Sequence, residues 1–251
     1  MASLQLSSPP VNALTYNMLE ELIGTIRELE ADPAVRGVII GSAVPNIFSA
    51  GIHLPHLLIG ADGSINDVAD YWSLLQEAWL TMYTTPLAMV AAIPGHCSAG
   101  GCVLAFACDA RVMNEGKGSI GLNEAAFGLI PPTWLTRMLI DLAGRRKAEM
   151  MVQCGTLLPP DEALACGVVD ATAPLSRLVE EARAHLGVLL AVPDRARTAA
   201  KLQARQEQAD ALRETLSEDL DAMLTFVAEP AVQADISLYL KSLSAKSDDS
   251  A

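Results

Sequence analysis

Apolar residues in the first half of the chain alternate between two spacings. Leu4-Gln5-Leu6 reads as a short strand that stops at Pro9-Pro10, after which Asn12 and Thr15 offer side chains suited to start a helix. From Leu19 onward Leu22, Ile23, Ile26 and Leu29 recur at helical spacing until Asp32-Pro33, which predicts an amphipathic helix. Gly37-Val38-Ile39-Ile40-Gly41 is short, β-branched and flanked by glycine, the pattern of a strand buried on both faces of a parallel sheet. A loop carrying Phe48-Ser49-Ala50-Gly51-Ile52-His53-Leu54 follows. Asp67 is placed to cap a second helix with Val68, Tyr71, Leu75, Ala78, Trp79 and Met82 on one face, and Pro86 closes it before the apolar run 87–93.

The same order then repeats. A small-residue loop, Gly95-His96-Cys97-Ser98-Ala99-Gly100-Gly101, leads into a short helix over 102–108, a strand at Ala110-Arg111-Val112-Met113 and a β segment around Ser119-Ile120-Gly121. Strand, loop and helix in succession argue for an α/β layered architecture. From Pro131-Pro132-Thr133-Trp134 the chain turns more helical, with helices over 135–143 and 145–152 separated by Gly144 and a short one from Pro159-Pro160-Asp161-Glu162 to Gly167. Beyond Val168-Val169-Asp170 it reads as wholly helical. Two apolar stripes there, Leu212, Leu216, Leu220, Met223, Leu224, Val227 and then Val232, Ile236, Leu240, Leu243, need a surface to cover them, either a second subunit or the chain's own core. The polar tail 244–251 is expected to fray. The division expected is a core over 1–185 and a helical C-terminal region over 186–251, an oligomer contact.

Composition narrows the function classes. In 251 residues, 51% hydrophobic, there is ample material for a core, and no run reaches the roughly 18 apolar residues of a membrane span. A formal net charge of −13 argues against nucleic acid as a partner, and leaves an anionic ligand to backbone dipoles or a few local cations. Five cysteines, Cys97, Cys102, Cys108, Cys154 and Cys166, are odd in number and lack short paired spacing, so they read as packing residues in a reducing setting, with no metal site. Met1-Ala2-Ser3-Leu4 shows no Arg-rich transit segment, consistent with a cytosolic protein or one whose presequence has been removed.

The candidate chemistry lies in two loops and one acid. Ser49-Ala50-Gly51-Ile52 and Ala99-Gly100-Gly101 each follow a buried strand, and glycine permits a close backbone approach that converges N–H donors on a ligand. The same glycines also suit plain strand-to-helix turns. Glu124 stands in Gly121-Leu122-Asn123-Glu124, followed by Ala125, Ala126, Phe127, Leu129 and Ile130. Such neighbours desolvate a carboxylate and make it a better base near neutral pH, whereas a glutamate at a helix start is commonly a surface residue.

Phe48-Ser49-Ala50-Gly51-Ile52, Gly95-His96-Cys97-Ser98-Ala99-Gly100-Gly101-Cys102, Cys108-Asp109 and Gly121-Leu122-Asn123-Glu124 with Gly128 together resemble the enoyl-CoA hydratase/isomerase (crotonase) family over residues 9–170, and more loosely to the end. Pro9-Pro10-Val11-Asn12-Ala13-Leu14, Tyr71-Trp72, Trp79 and Pro132-Thr133-Trp134-Leu135 resemble its mitochondrial Δ3,Δ2-isomerase branch. The resemblance implies the ClpP/crotonase-like α/β fold of repeated ββα units, a homotrimer and the mitochondrial matrix, with peroxisome or cytoplasm as alternatives. It implies an acyl-CoA substrate whose coenzyme A is the only cofactor-like group. By position, the N–H groups of Ile52 and Gly100 become oxyanion donors, and Glu124 the base. Ala50, Gly51, Ile52, His53 and Leu54 line the thiol end, and Asn123 lies beside the acyl chain. His53 departs from the family's usual Asp, as a surface or ligand-shell residue or a CoA contact. His56, His96 and His185 read as ordinary loop or helix residues. Hydratases of the family use two glutamates; Val103 occupies the position of the first. One base suits double-bond migration, since the same carboxyl takes a proton and returns it elsewhere.

Ser98 in a glycine-rich turn invites a serine-hydrolase reading, but His96 stands where a nucleophile elbow needs glycine. A relative that binds RNA needs a basic face, which the charge opposes. Hydration and dienoyl isomerisation both resemble reactions of two acids.

Overall fold

The computed structural model describes residues 1–60 and 65–248, the last five of these as backbone. Strand β1 (Ala2–Leu6) is followed by the two-residue β2 (Ala13–Leu14) and helix α1 (Tyr16–Ala31). Thr15 caps α1 by accepting a hydrogen bond from the Met18 N–H at 3.2 Å, and Leu19, Leu22, Ile23 and Ile26 are the buried face. Asn12 does not start the helix. It is buried with φ of 48°, and its side chain donates to Ser42 Oγ and the Phe48 carbonyl and accepts from the Ser8 N–H. This pins the turn before α1 to the strands that carry the first glycine loop.

From residue 37 two strands and a helix recur. β3 (Gly37–Ser42), β4 (Ile47–Ser49) and β5 (Gly51–Ile52) precede a 3-10 turn at Leu54–Leu57 and helix α2 (Asn66–Thr84). β6 (Ala88–Ile93) and β7 (His96–Ser98) precede α3 (Gly101–Ala107). β8 (Ala110–Asn114) and β9 (Ile120–Gly121) precede a 3-10 turn at Glu124–Phe127 and α4 (Thr133–Ala143). Segments read from sequence as loops, around Phe48 and His96, are therefore strands of two or three residues, too short to show a period. Asp67 lies inside the first turn of α2, whose preceding residue Ile65 gives no side-chain cap.

Parallel pairing orders the long strands β1-β3-β6-β8, with β10 (Ala171–Ala173) at the far edge, while β4-β7-β9 form a second sheet and β2 pairs with β5. One face of the main sheet, including Val38, Ile40, Met89, Ala91 and Ile93, joins the core beneath the helices. The other, Ile39, Ala88, Val90, Ala92 and Val112, is covered by Leu178, Ala182 and Leu186 of α7 (Leu178–Leu190), which runs unbroken through residue 185. Burial on both faces is why these strands read as continuous apolar runs.

Before β10 come α5 (Arg145–Cys154) and α6 (Pro160–Ala165). The strand β10 corrects the expectation that everything beyond Asp170 is helical. It is fixed by polar pairing: Asp170 accepts from the Arg111 N–H at 2.7 Å and from its guanidinium at 2.8 Å. Helices α8 (Asp194–Glu214), α9 (Leu216–Val227) and α10 (Pro230–Asp248) complete the chain. Leu212, Met223, Val227, Val232 and Ile236 are buried in the same core as the strands, while Leu243 at the end of the second stripe is exposed. An ionic cluster fastens α8: Asp109 accepts from the Met89 N–H, from Lys201 Nζ at 3.0 Å and from Arg205 at 2.9 Å. The tail read as frayed continues α10 as far as Asp248; 249–251 lie outside the described residues. Cys97, Cys102 and Cys108 pack inside as expected, but Cys154 is exposed and Cys166 half-buried.

Candidate active site

The two glycine loops touch. Gly51 has φ of +98°, a conformation that glycine alone adopts readily, and a Cβ there would stand 2.7 Å from the backbone nitrogen of Gly100. A Cβ on Gly100 would in turn stand 2.8 Å from the nitrogen of Ile52. The amides of Ile52 and Gly100 are thus brought side by side by two residues that cannot carry side chains. Ser49 fixes the first loop, accepting from the Gly51 N–H at 3.1 Å and donating to the Asn12 carbonyl at 2.7 Å. The second loop turns at Ala99, with φ of 49°, whose N–H donates to the Gly121 carbonyl, and Gly100 precedes the first turn of α3.

Glu124 opens the 3-10 turn after β9 and is 5% exposed. Its Oε2 is buried without a hydrogen-bond partner. Burial pushes the carboxyl from 4.5 up to about 7, opposed only by a hydrogen bond from its own backbone. The reason is desolvation: an anion held in apolar surroundings loses its hydration, and the proton stays on to higher pH.

Glu124, Ile52 and Gly100 line one small cavity, about 20 Å³, with Val103, Trp72 and Met223 among its apolar walls. Glu124 is the one ionisable side chain among its lining residues. Ile52 also borders an outer cleft of about 300 Å³, whose walls include Ala50, His53, Leu54 and Asn123. Asn123, expected beside the acyl chain, is thus among the outer-cleft residues and not among those lining the cavity with Glu124. Phe127 and Tyr239 of α10, stacked with ring centroids 4.7 Å apart, also border the outer cleft.

His53 is half-buried, with Nδ1 unpartnered, and its ring lies edge-on to His56, which stacks on Tyr71. Burial and the neighbouring His56 lower its pKa from the ordinary imidazole value. Its backbone N–H donates to the Tyr71 hydroxyl, which donates to the Leu14 carbonyl at 2.6 Å. Tyr71 thereby ties the residue after Ile52 to α2. Ser98 borders the outer cleft, while the ring of His96 pairs with Ser119 Oγ at 3.0 Å and not with Ser98.

Of the residues that border these spaces, the sequence marks Leu75 and Met223 only as members of helical stripes and Trp72 and Leu135 only as parts of family motifs, and it does not single out Tyr239. Periodicity reports which face is buried, and it carries no mark that part of that face borders a cavity.

Repeated ββα units place the molecule among crotonase folds, and the chain belongs to the enoyl-CoA hydratase/isomerase family, whose sequence profile matches residues 1–248. It is 38% identical over 247 residues to enoyl-CoA delta isomerase 1, mitochondrial, of Mus musculus, covering 98% of this chain and 84% of that one. The Homo sapiens protein of the same name is 36% identical over 244 residues, covering 97% and 80%. The crystal structure of human mitochondrial delta3-delta2-enoyl-CoA isomerase superposes with a TM-score of 0.94 at 36% identity, covering 97% of this chain and 94% of that one. An enoyl-CoA hydratase from Bacillus halodurans shares the fold, with a TM-score of 0.85 at 22% identity, covering 94% and 96%.

Proposed function

We propose that this protein is a Δ3,Δ2-enoyl-CoA isomerase that moves the double bond of a 3-enoyl-CoA to the trans-2 position, as in β-oxidation of unsaturated fatty acids. The observation that carries the reading is the inner cavity, where one carboxyl raised to about 7 faces apolar walls that include Val103 and the Ile52 and Gly100 loops. A hydratase places a water between two acids, and Val103 offers none. Similarity to two mammalian delta isomerases over nearly the whole chain supports the same choice.

In this mechanism the thioester carbonyl accepts hydrogen bonds from the N–H groups of Ile52 and Gly100. Glu124 takes a proton from C2, the negative charge moves onto the thioester oxygen as a dienolate, and the protonated Glu124 then delivers its proton to C4. A carboxylate is far too weak a base for an unaided thioester. Each preorganised donor contributes about 3 kcal/mol to the transition state, and two contribute about 6 kcal/mol, roughly four powers of ten in rate. The raised pKa of Glu124 helps both half-reactions, because a base near 7 accepts and returns a proton with little bias at neutral pH.

Ala50, Gly51, His53 and Leu54 border the thiol end of the coenzyme A arm, and Asn123, which lines the same cleft, lies beside the acyl chain. Coenzyme A enters as part of the substrate, with no further cofactor. The protein works as a homotrimer in the mitochondrial matrix, a location supported by the relatives' names. The test is to incubate it with 3-hexenoyl-CoA and follow 2-hexenoyl-CoA. Absence of that product, with 3-hydroxyacyl-CoA forming from the 2-enoyl substrate, would replace isomerisation by hydration.

A further inference from the structure

The inner cavity is small. At about 20 Å³ it leaves little free space, so a long acyl chain must displace a wall. The candidate wall is the meeting of α2 and α9, where Trp72 and Met223 line the cavity. The main side-chain polar tie from α9 to α2 and α4 is one carboxylate. Asp219 Oδ2 accepts from Trp72 Nε1 at 2.9 Å, from Gln76 Nε2 at 2.8 Å and from Trp134 Nε1 at 3.4 Å. Gln76 also donates to the Leu216 carbonyl at the start of α9. Three donors from two other helices thus converge on one oxygen of α9, and one of them belongs to an indole that borders the cavity. Trp72 and Trp134 are buried, and Asp219 is the acceptor for each indole N–H, while the buried Gln76 shares its amide between Asp219 and Leu216. Apart from it, α9 is held largely by apolar contacts such as Met223 and Val227, and a methionine yields easily because its side chain is unbranched and flexible.

We propose that Asp219 is a positioning residue that sets how long an acyl chain the cavity accepts, by latching α9 to α2 and so fixing Trp72 and Met223 as part of the cavity wall. The inference rests on the acyl-CoA reading of that cavity. With the latch closed the wall admits short acyl chains; with it released α9 moves outward and longer chains enter. Asp219 reaches the substrate only through these neighbours.

Binding of saturated hexanoyl-CoA and hexadecanoyl-CoA, which cannot be isomerised, tests the latch separately from turnover. Titration calorimetry on wild type is expected to show preference for the shorter ligand. Asp219→Ala is expected to raise hexadecanoyl-CoA affinity relative to hexanoyl-CoA about tenfold, the effect on an equilibrium constant of losing a hydrogen bond to a charged group. Hexanoyl-CoA affinity itself is expected to stay unchanged in Asp219→Ala, and Asp219→Asn, which keeps an acceptor oxygen, restores the wild-type ratio. Trp72→Phe, which removes the indole donor while keeping an aromatic ring, shifts the ratio in the same direction and serves if Asp219→Ala does not fold. A wild-type ratio in both Asp219→Ala and Trp72→Phe overturns the latch while leaving the isomerase reading intact. Failure of wild type to bind either ligand overturns the acyl-CoA reading and the latch with it.

Discussion

The backbone nitrogen of Ile52 lies 2.8 Å from the point where a Cβ on Gly100 would stand. Gly100→Ala therefore forces the two loops apart by a few tenths of an ångström and misaligns both proposed donors. The expected outcome is a loss of kcat/KM of about two to three powers of ten, the effect of removing one oxyanion donor. Steady-state kinetics with 3-hexenoyl-CoA, beside an unchanged circular dichroism spectrum, checks it.

Glu124→Gln is expected to bind enoyl-CoA and lose isomerase turnover; wild-type rates would remove Glu124 from the role of base. Its effect on stability has a definite sign. The folded carboxyl titrates near 7 and its ordinary value is 4.5, so the folded state holds the proton more tightly. Wild-type stability therefore falls as pH rises from about 4.5 to about 7, and above that the ionised group costs about 3 kcal/mol. Glutamine does not titrate, so melting temperatures of Glu124→Gln and wild type should diverge across that window, with the variant higher at pH 8.

The pH–rate profile follows from the same group. As a base, Glu124 acts ionised, so kcat/KM should rise with pH through about 7 with unit slope and then level off. A bell with a second ionisation below 7 would point instead to two acids.

Val103 is 1% exposed and lines the cavity opposite no other acid. Val103→Glu supplies the missing carboxyl, and 3-hydroxyacyl-CoA should begin to form from 2-hexenoyl-CoA while isomerisation drops. Burying a second carboxylate beside Glu124 costs several kcal/mol, so the melting temperature should fall and recover as pH is lowered.

Asp109 is the carboxylate partner of two half-buried cations, Lys201 and Arg205, and Asp109→Ala leaves them only backbone carbonyl acceptors. A loss of about 2–3 kcal/mol is expected in chemical denaturation. Burial lowers the Lys201 pKa from 10.5 to about 8 despite Asp109, so Lys201 sheds its charge more readily when folded, and stability should rise between pH 8 and 10.5. Lys201→Met should flatten that rise.

The long elements were legible because their burial is periodic or continuous: Leu19 to Ile26 along α1, Val38 to Ile40 in a strand covered on both faces. Glu124 and the two glycine loops were legible as residues, since only small side chains and one acid interrupt an apolar region. Their meeting was not legible from local pattern, because Gly51 and Gly100 are joined by pairing between strands of two or three residues. β10 escaped for another reason: Ala171-Thr172-Ala173 has weak apolar character, and Arg111 with Asp170 supplies what holds it. The division of one site into a cavity and an outer cleft depends on side-chain volumes, to which spacing along the chain is blind.

Tyr239, stacked on Phe127 three residues past the proposed base, comes from the last helix. The chain is synthesised from its N-terminus, so the loops at Ile52 and Gly100 and the carboxyl at Glu124 leave the ribosome long before the ring that borders their cleft. A nascent chain can fold its sheets while this cleft still lacks a wall, and the cleft is completed only once residue 239 has emerged.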